Sequence, residues 1–151
     1  MRALVQRVNY SRVIVEGKVK SETGKGLLVL LGVEHEDTEE DIKWLSNKVS
    51  QLRIFDDSEG VMNLSVKDID GEVMVISQFT LHANTRKGMR PSYIKAAKPD
   101  FSNPMYEKFV ERMKVDLGKD LGTGAFGAYM KIDLENDGPV TIMIDSKNKN
   151  L

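Results

Sequence analysis

The chain has 151 residues, 40% hydrophobic and 30% charged, with a formal net charge of −1 and no cysteine. That length suits one domain, which buries roughly 68–70% of its unfolded surface. The composition excludes a disulfide framework, a thiolate metal site and a protein that binds nucleic acid through many phosphates; a local basic patch gripping one end of an RNA stays compatible with it.

Leu4, Gln6 and Val8 against Val5 and Arg7 read as a short mixed strand, too polar for the core of a signal peptide. Val13-Ile14-Val15 and Lys18-Val19-Lys20 flank Glu16-Gly17, a hairpin signal. Gly26 opens Leu27–Val33, an aliphatic run typical of a strand covered on both faces. It is far shorter than the about 20 residues a membrane helix needs, so a cytoplasmic protein with no membrane partner is expected.

Thr38 followed by Asp41 resembles a capping box, and Ile42, Leu45, Val49 and Leu52 recur at helical spacing; residues 38 to 52 are predicted as an amphipathic helix. Asp56-Asp57-Ser58-Glu59-Gly60 reads as a turn, since it lacks the ligand spacing and closing Glu of a calcium loop. A second turn, Asp70-Gly71, leads into Glu72–Ile76, the most strand-like run in the chain. Ser77-Gln78-Phe79-Thr80-Leu81 follows directly. It places two hydroxyls, a carboxamide and an aromatic ring where a strand ladder ends and backbone N–H groups become free.

From His82 to Asn103 periodicity is lost. Arg86, Lys87, Arg90, Lys95 and Lys98 fall here with no acid between them, and Gly88, Pro91 and Pro99 predict an extended loop. Asn103 as N-cap and Pro104 at the first position predict a second helix with Tyr106, Phe109, Val110, Met113 and Leu117 buried and Gly118 as its stop. From Ala125 a period of two predicts a long half-buried strand to Glu135, broken by Asn136-Asp137-Gly138-Pro139 and resumed by Val140, Ile142 and Ile144. The sum is an α/β fold: a single compact domain over residues 1–151, with a mixed β-sheet and two main helices.

Residues that usually carry chemistry are scarce. His35 and His82 are the only histidines and match neither a metal pair nor a Ser-His-Asp arrangement, so no metal and no cofactor is expected. His82 is close enough to Thr80 to stay open as a general base in an esterase reading. Gly118, Gly122, Gly124 and Gly127 lack the Walker spacing and read instead as sites where another backbone approaches closely.

Ser77–Leu81 and Asn136-Asp137-Gly138-Pro139-Val140-Thr141 together resemble the two signature motifs of the D-aminoacyl-tRNA deacylases. The likeness extends to Arg2–Val8 with Arg7, to Lys87-Gly88-Met89-Arg90-Pro91-Ser92, and to Thr123–Met130. It implies the fold of that family and a homodimer. The activity implied is hydrolysis of the ester joining a D-amino acid, or glycine, to the terminal adenosine of tRNA; the partner is aminoacyl-tRNA, not DNA. It also implies that Gly138-Pro139 is cis and reaches into the partner subunit's site to exclude L-amino acids.

Ester hydrolysis develops charge on the carbonyl oxygen, so the backbone amides of Gln78, Phe79 and Thr80 are the candidate donors, Phe79 first. Thr80 stands as nucleophile or positioner, with Gln78 and Ser77 orienting ester and ribose. Phe126 and Met130, with Ala128, are candidates for the adenine platform or for core. Gly138, Pro139 and Arg7 complete the expected substrate-binding set. A non-enzymatic RNA-end binder using the Arg86–Lys98 loop is the remaining alternative.

Overall fold

A computed structural model describes the whole chain, Met1–Leu151. Its hub is β1 (Arg2–Val15), paired antiparallel along one edge with β8 (Lys131–Asp145) and along the other with β3 (Gly26–Gly32) and then β2 (Lys18–Thr23). The sheet continues in parallel from β3 to β6 (Glu72–Ser77) and from β6 to β7 (Gly122–Thr123). Parallel neighbours need crossovers, and the two helices supply them: α1 (Glu39–Ser50) between β3 and β6, α2 (Pro99–Leu117) between β6 and β7. β4 (Phe55–Asp56) and β5 (Met62–Leu64) form a separate small hairpin around the acidic turn, where the Asp57 carboxylate accepts from the N–H groups of Glu59 and Val61.

Alternation along β3 accounts for its aliphatic run. Leu27, Val29 and Leu31 join Ile42, Leu45, Val49, Phe109 and Met113 in the core under the helices. Leu28 turns the other way, to Val8, Val13, Met74 and Ile76. Both faces are covered, so neither side of the strand tolerates polar residues.

Five expectations change. β1 does not stop at Val8: β8 supplies a ladder along nearly its whole length, and the buried Ser11 and Thr23 hydroxyls bond each other at 2.7 Å. α2 starts at Pro99 with Lys98 as N-cap, because Ala97 N–H is anchored to the Val33 carbonyl (2.9 Å) and turns the chain into the helix there. Pro104 then lies inside the helix on an exposed position, where the ladder bond it cannot make is lost at the solvent side. Residues 125–130 form a turn rather than a strand, with Gly127 at φ +73°. Gly122 and Gly124 make room for the Met74 and Met130 side chains, not for another backbone.

The fifth concerns Asn136–Pro139. It is a bulge within one strand, not a turn between two. Pairing to β1 jumps from Val8 opposite Asn136 to Gln6 opposite Thr141, so the bulged segment loops out while the ladder resumes in register. Asn136 closes its neck, its Nδ2 donating to the carbonyls of Arg7 (3.0 Å) and Val140 (2.9 Å).

Candidate active site

The carboxyl ends of β3 and β6 open into a cavity of about 560 Å³, the usual place for a ligand in a parallel α/β sheet. Ser77, Gln78 and Phe79 line one end and Phe126, Ala128 and Met130 another, so the structure brings these predicted residues together, while Thr80, next along the turn, does not itself line the wall. Tyrosines are the only titratable residues on its wall.

β6 ends at Ser77, and the chain folds at once into a 3-10 turn, Phe79–His82. Gln78 N–H donates to the Leu31 carbonyl at 2.7 Å, so of the three expected donors this one is already used. Phe79 and Thr80 are the first two residues of the turn, and their N–H groups have no acceptor within it; the first bond of the turn runs from Leu81 N–H to the Gln78 carbonyl. The Thr80 hydroxyl accepts from Gln78 Nε2 at 2.6 Å and bonds neither a carboxylate nor an imidazole. The geometry is that of a held hydroxyl, not of an activated nucleophile.

His82 does not line the cavity. Its side chain is buried, neither ring nitrogen has a hydrogen-bond partner, and burial lowers its pKa, so it stays neutral at physiological pH. The esterase reading loses its base. No three His, Asp or Glu side chains converge to hold a metal ion.

Aromatic rings wall the cavity. Phe79 is half-exposed and meets Tyr93 edge-on, centroids 5.1 Å apart. Phe126 leans on Tyr106 at 5.9 Å, and the Tyr106 hydroxyl donates to the Val75 carbonyl at 2.8 Å. Burial pushes that phenol up to about 12, so it is a fixed neutral prop. The Met130 sulfur accepts from Ala125 N–H at 3.3 Å, in space left by the missing side chain of Gly124. Tyr93 and Tyr106 were missed as cavity residues: one sits in an aperiodic loop, and the other belongs to a helical stripe that reads only as core. In the basic loop, Arg86, Lys87 and Arg90 are exposed around a fully exposed Met89, while Lys95 and Lys98 flank Ala96 and Ala97 at the cavity wall.

The second motif lies apart. Gly138-Pro139 is cis, as the resemblance implied, and exposed, but neither residue lines the cavity of its own chain. Arg7, expected to bind substrate, is buried beneath the bulge. Its Nε donates to the Asp137 carbonyl at 3.1 Å and pairs with the Asp137 carboxylate at 3.2 Å, while Nη1 donates to the Ile54 carbonyl at 2.7 Å. Gly138 has φ +131°, and a Cβ there would come within 2.8 Å of Val140 Cγ2 and 3.1 Å of Arg7 Nη2, so the position favours glycine.

An aromatic cleft with a carboxamide, a hydroxyl and the free Phe79 N–H at one end, and the free Thr80 N–H next in the chain, can seat a flat apolar ligand, and fixed backbone dipoles there can stabilise a developing oxyanion. A family described as D-Tyr-tRNA(Tyr) deacylase matches residues 4–145. The D-aminoacyl-tRNA deacylases of Parabacteroides distasonis and Bacteroides thetaiotaomicron are 60% and 59% identical to the chain, each over 99% of both lengths. A solved structure described as c-Myc DNA Unwinding Element Binding Protein superposes with a TM-score of 0.90 at 37% identity, over 96% of this chain and 98% of that one. One described as a probable eukaryotic D-amino acid tRNA deacylase shares the fold at a TM-score of 0.82 and 17% identity, over 95% and 97%. The chain belongs to the D-Tyr-tRNA(Tyr) deacylase family, a family of hydrolases.

Proposed function

We propose that this protein hydrolyses the ester between a D-amino acid and the terminal adenosine of tRNA. Water adds to the ester carbonyl, the bond to the ribose oxygen breaks, and free D-amino acid and tRNA leave. The observation that supports this most is the pair of unengaged Phe79 and Thr80 N–H groups at the end of an aromatic cleft, in a chain belonging to this family. These amides stabilise the oxyanion, and Gln78, with Thr80 held against it, positions water or the ribose. An aminoacyl ester is already activated, and the 2′-hydroxyl of the substrate assists, so a strong protein base is unnecessary.

The adenine lies against Phe126 and Met130. The chain acts as a cytoplasmic homodimer in which Gly138-Pro139 of one subunit enters the cleft of the other. Its backbone carbonyls hold the substrate amino group and occupy the space an L side chain would need, so L-substrates are refused by a wall while D side chains vary. Glycine, with no side chain to refuse, is also accepted. Arg86 and Lys87 add affinity for the acceptor stem through its phosphates.

The test is release of amino acid from D-tyrosyl-tRNA and L-tyrosyl-tRNA by the purified protein. D-tyrosine is expected at least about 100-fold faster, equivalent to about 2.7 kcal/mol of barrier. Equal rates would overturn the chiral role, and tRNA binding with no release would replace the enzyme with an RNA-end binder.

A further inference from the structure

Three contacts dock the Phe79–His82 turn on the end of β3. Gln78 N–H reaches the Leu31 carbonyl, Arg2 Nη1 donates to the Leu81 carbonyl at 2.9 Å, and the His82 ring lies against Gly32. A Cβ at Gly32 would come within 3.0 Å of the ring Cδ2, 3.1 Å of Nε2 and 3.1 Å of the Gln78 carbonyl oxygen, so ring, strand and turn meet at one point. His82 is 2% exposed, and neither ring nitrogen makes a hydrogen bond of normal geometry, although the Gly32 backbone lies close enough to favour the charged form slightly. It touches neither cavity nor substrate, and the proposed mechanism gives it no chemical step.

A neutral imidazole leaves one donor and one acceptor unpaired in such a seat, a cost far below that of burying a charge. An imidazolium is not tolerated there, since it carries two donors and a charge that need acceptors or water. Around it stand Glu34 after β3, Arg2 at the start of β1 and the Met1 ammonium before it. Burial lowers its pKa, opposed by the Gly32 backbone and Glu34 and reinforced by the two cations. The Gln78 carbonyl beside it already accepts from Leu81 N–H at 3.4 Å, so a charged ring would have to share an acceptor that begins the turn, pulling on that long bond.

Resting on the reading of the Phe79 and Thr80 amides as oxyanion donors, we propose that His82 is a positioning residue. It keeps the Phe79–His82 turn seated on Gly32 only while its ring is neutral, and protonation releases the turn and disarms the site.

The experiment follows kcat and KM for D-tyrosyl-tRNA from about pH 8 to about pH 4.5 in the wild type, His82→Leu and His82→Phe, with the histidine and amide resonances read by NMR. Two variants guard against one failing to fold. Each rate is normalised to the same protein's value at the alkaline end, so the intrinsic pH dependence of ester hydrolysis divides out. The wild-type to variant ratio of kcat is expected to fall about tenfold per pH unit below the His82 midpoint, with KM changed less than about twofold. The Phe79 and Thr80 amide resonances should move with that same midpoint. A His82 titration that leaves those amides still, or an identical acid limb in all three proteins with no amide movement, would overturn the proposal. Amides that follow His82 while the kcat ratio stays flat would uphold the docking and instead overturn their reading as donors.

Discussion

Gln78 divides its hydrogen bonds between two tasks. Its backbone N–H ties the strand exit to Leu31, while its side-chain amide holds the Thr80 hydroxyl. The N–H groups left for chemistry are therefore those of the next two residues, and proline at position 79 tests this. Proline suits the first position of a helical turn and removes the N–H. Phe79→Pro is expected to lower kcat for D-tyrosyl-tRNA by about 10²–10³, the usual weight of one oxyanion donor. The control is Phe79→Leu, which keeps the N–H and removes the ring. If both variants lose the same amount, the ring matters and the amide does not. Arg7 carries a different lesson at this scale: its buried guanidinium holds the Asp137 and Ile54 carbonyls and the Asp137 carboxylate, so it braces the bulge that carries Gly138-Pro139.

Among the elements, α1 shows how a local signal becomes a tertiary one. Asp41 at the third helical position reaches back to accept from the Thr38 N–H (2.8 Å) and hydroxyl (2.9 Å), and also from Lys147 Nζ (2.8 Å) near the end of the chain. Burial pushes the carboxyl up, but hydrogen bonds from Lys147, Ser146 and Thr38 outweigh it and hold the group below the usual carboxylate range. A depressed folded-state value means that the unfolded chain takes up its proton first as pH falls. The stabilisation is thus complete above about pH 4 and lost progressively below it. Asp41→Asn should make stability in urea less dependent on pH below about pH 4 while lowering it at pH 7. An unchanged pH slope would show that the ion pair contributes nothing to acid sensitivity.

At the scale of the whole molecule, the two motifs of one chain do not meet. The cleft lies at the carboxyl ends of β3 and β6, whereas Gly138-Pro139 sits exposed on the bulge of β8. If the second motif serves a partner's cleft, two inactive variants must complement each other. A mixture of Phe79→Pro with a variant carrying leucine at Gly138 assembles heterodimers with one intact composite site. After subunit exchange, up to about one quarter of wild-type activity should return, since half the dimers are mixed and each has one good site of two. No recovery in mixtures shown to contain heterodimers would place both motifs in service of the same chain.

Much of this molecule was legible along the chain. The aliphatic run of β3, the cap of α1, the stop at Gly118 (φ +72°) and the run ending at Ser77 are all where local pattern put them. Each depends on neighbours a few residues away. The two motifs, in the right order and with the loop and glycine-rich segment between them, also carried the resemblance to the family, which the comparisons with known proteins show. What local pattern misplaced was set by distant partners. β8 runs through Asn136–Pro139 because β1 offers a ladder on both sides of the bulge, and α2 starts early because Val33 holds Ala97. His82 is the clearest case. By sequence it is a histidine two residues from a threonine, free to be a base; packing turns its ring onto Gly32, away from the cleft and out of water. Local sequence decides which backbone forms and which side chains are offered. Burial and direction, which decide what a histidine or an arginine does, depend on contacts between residues far apart in the chain.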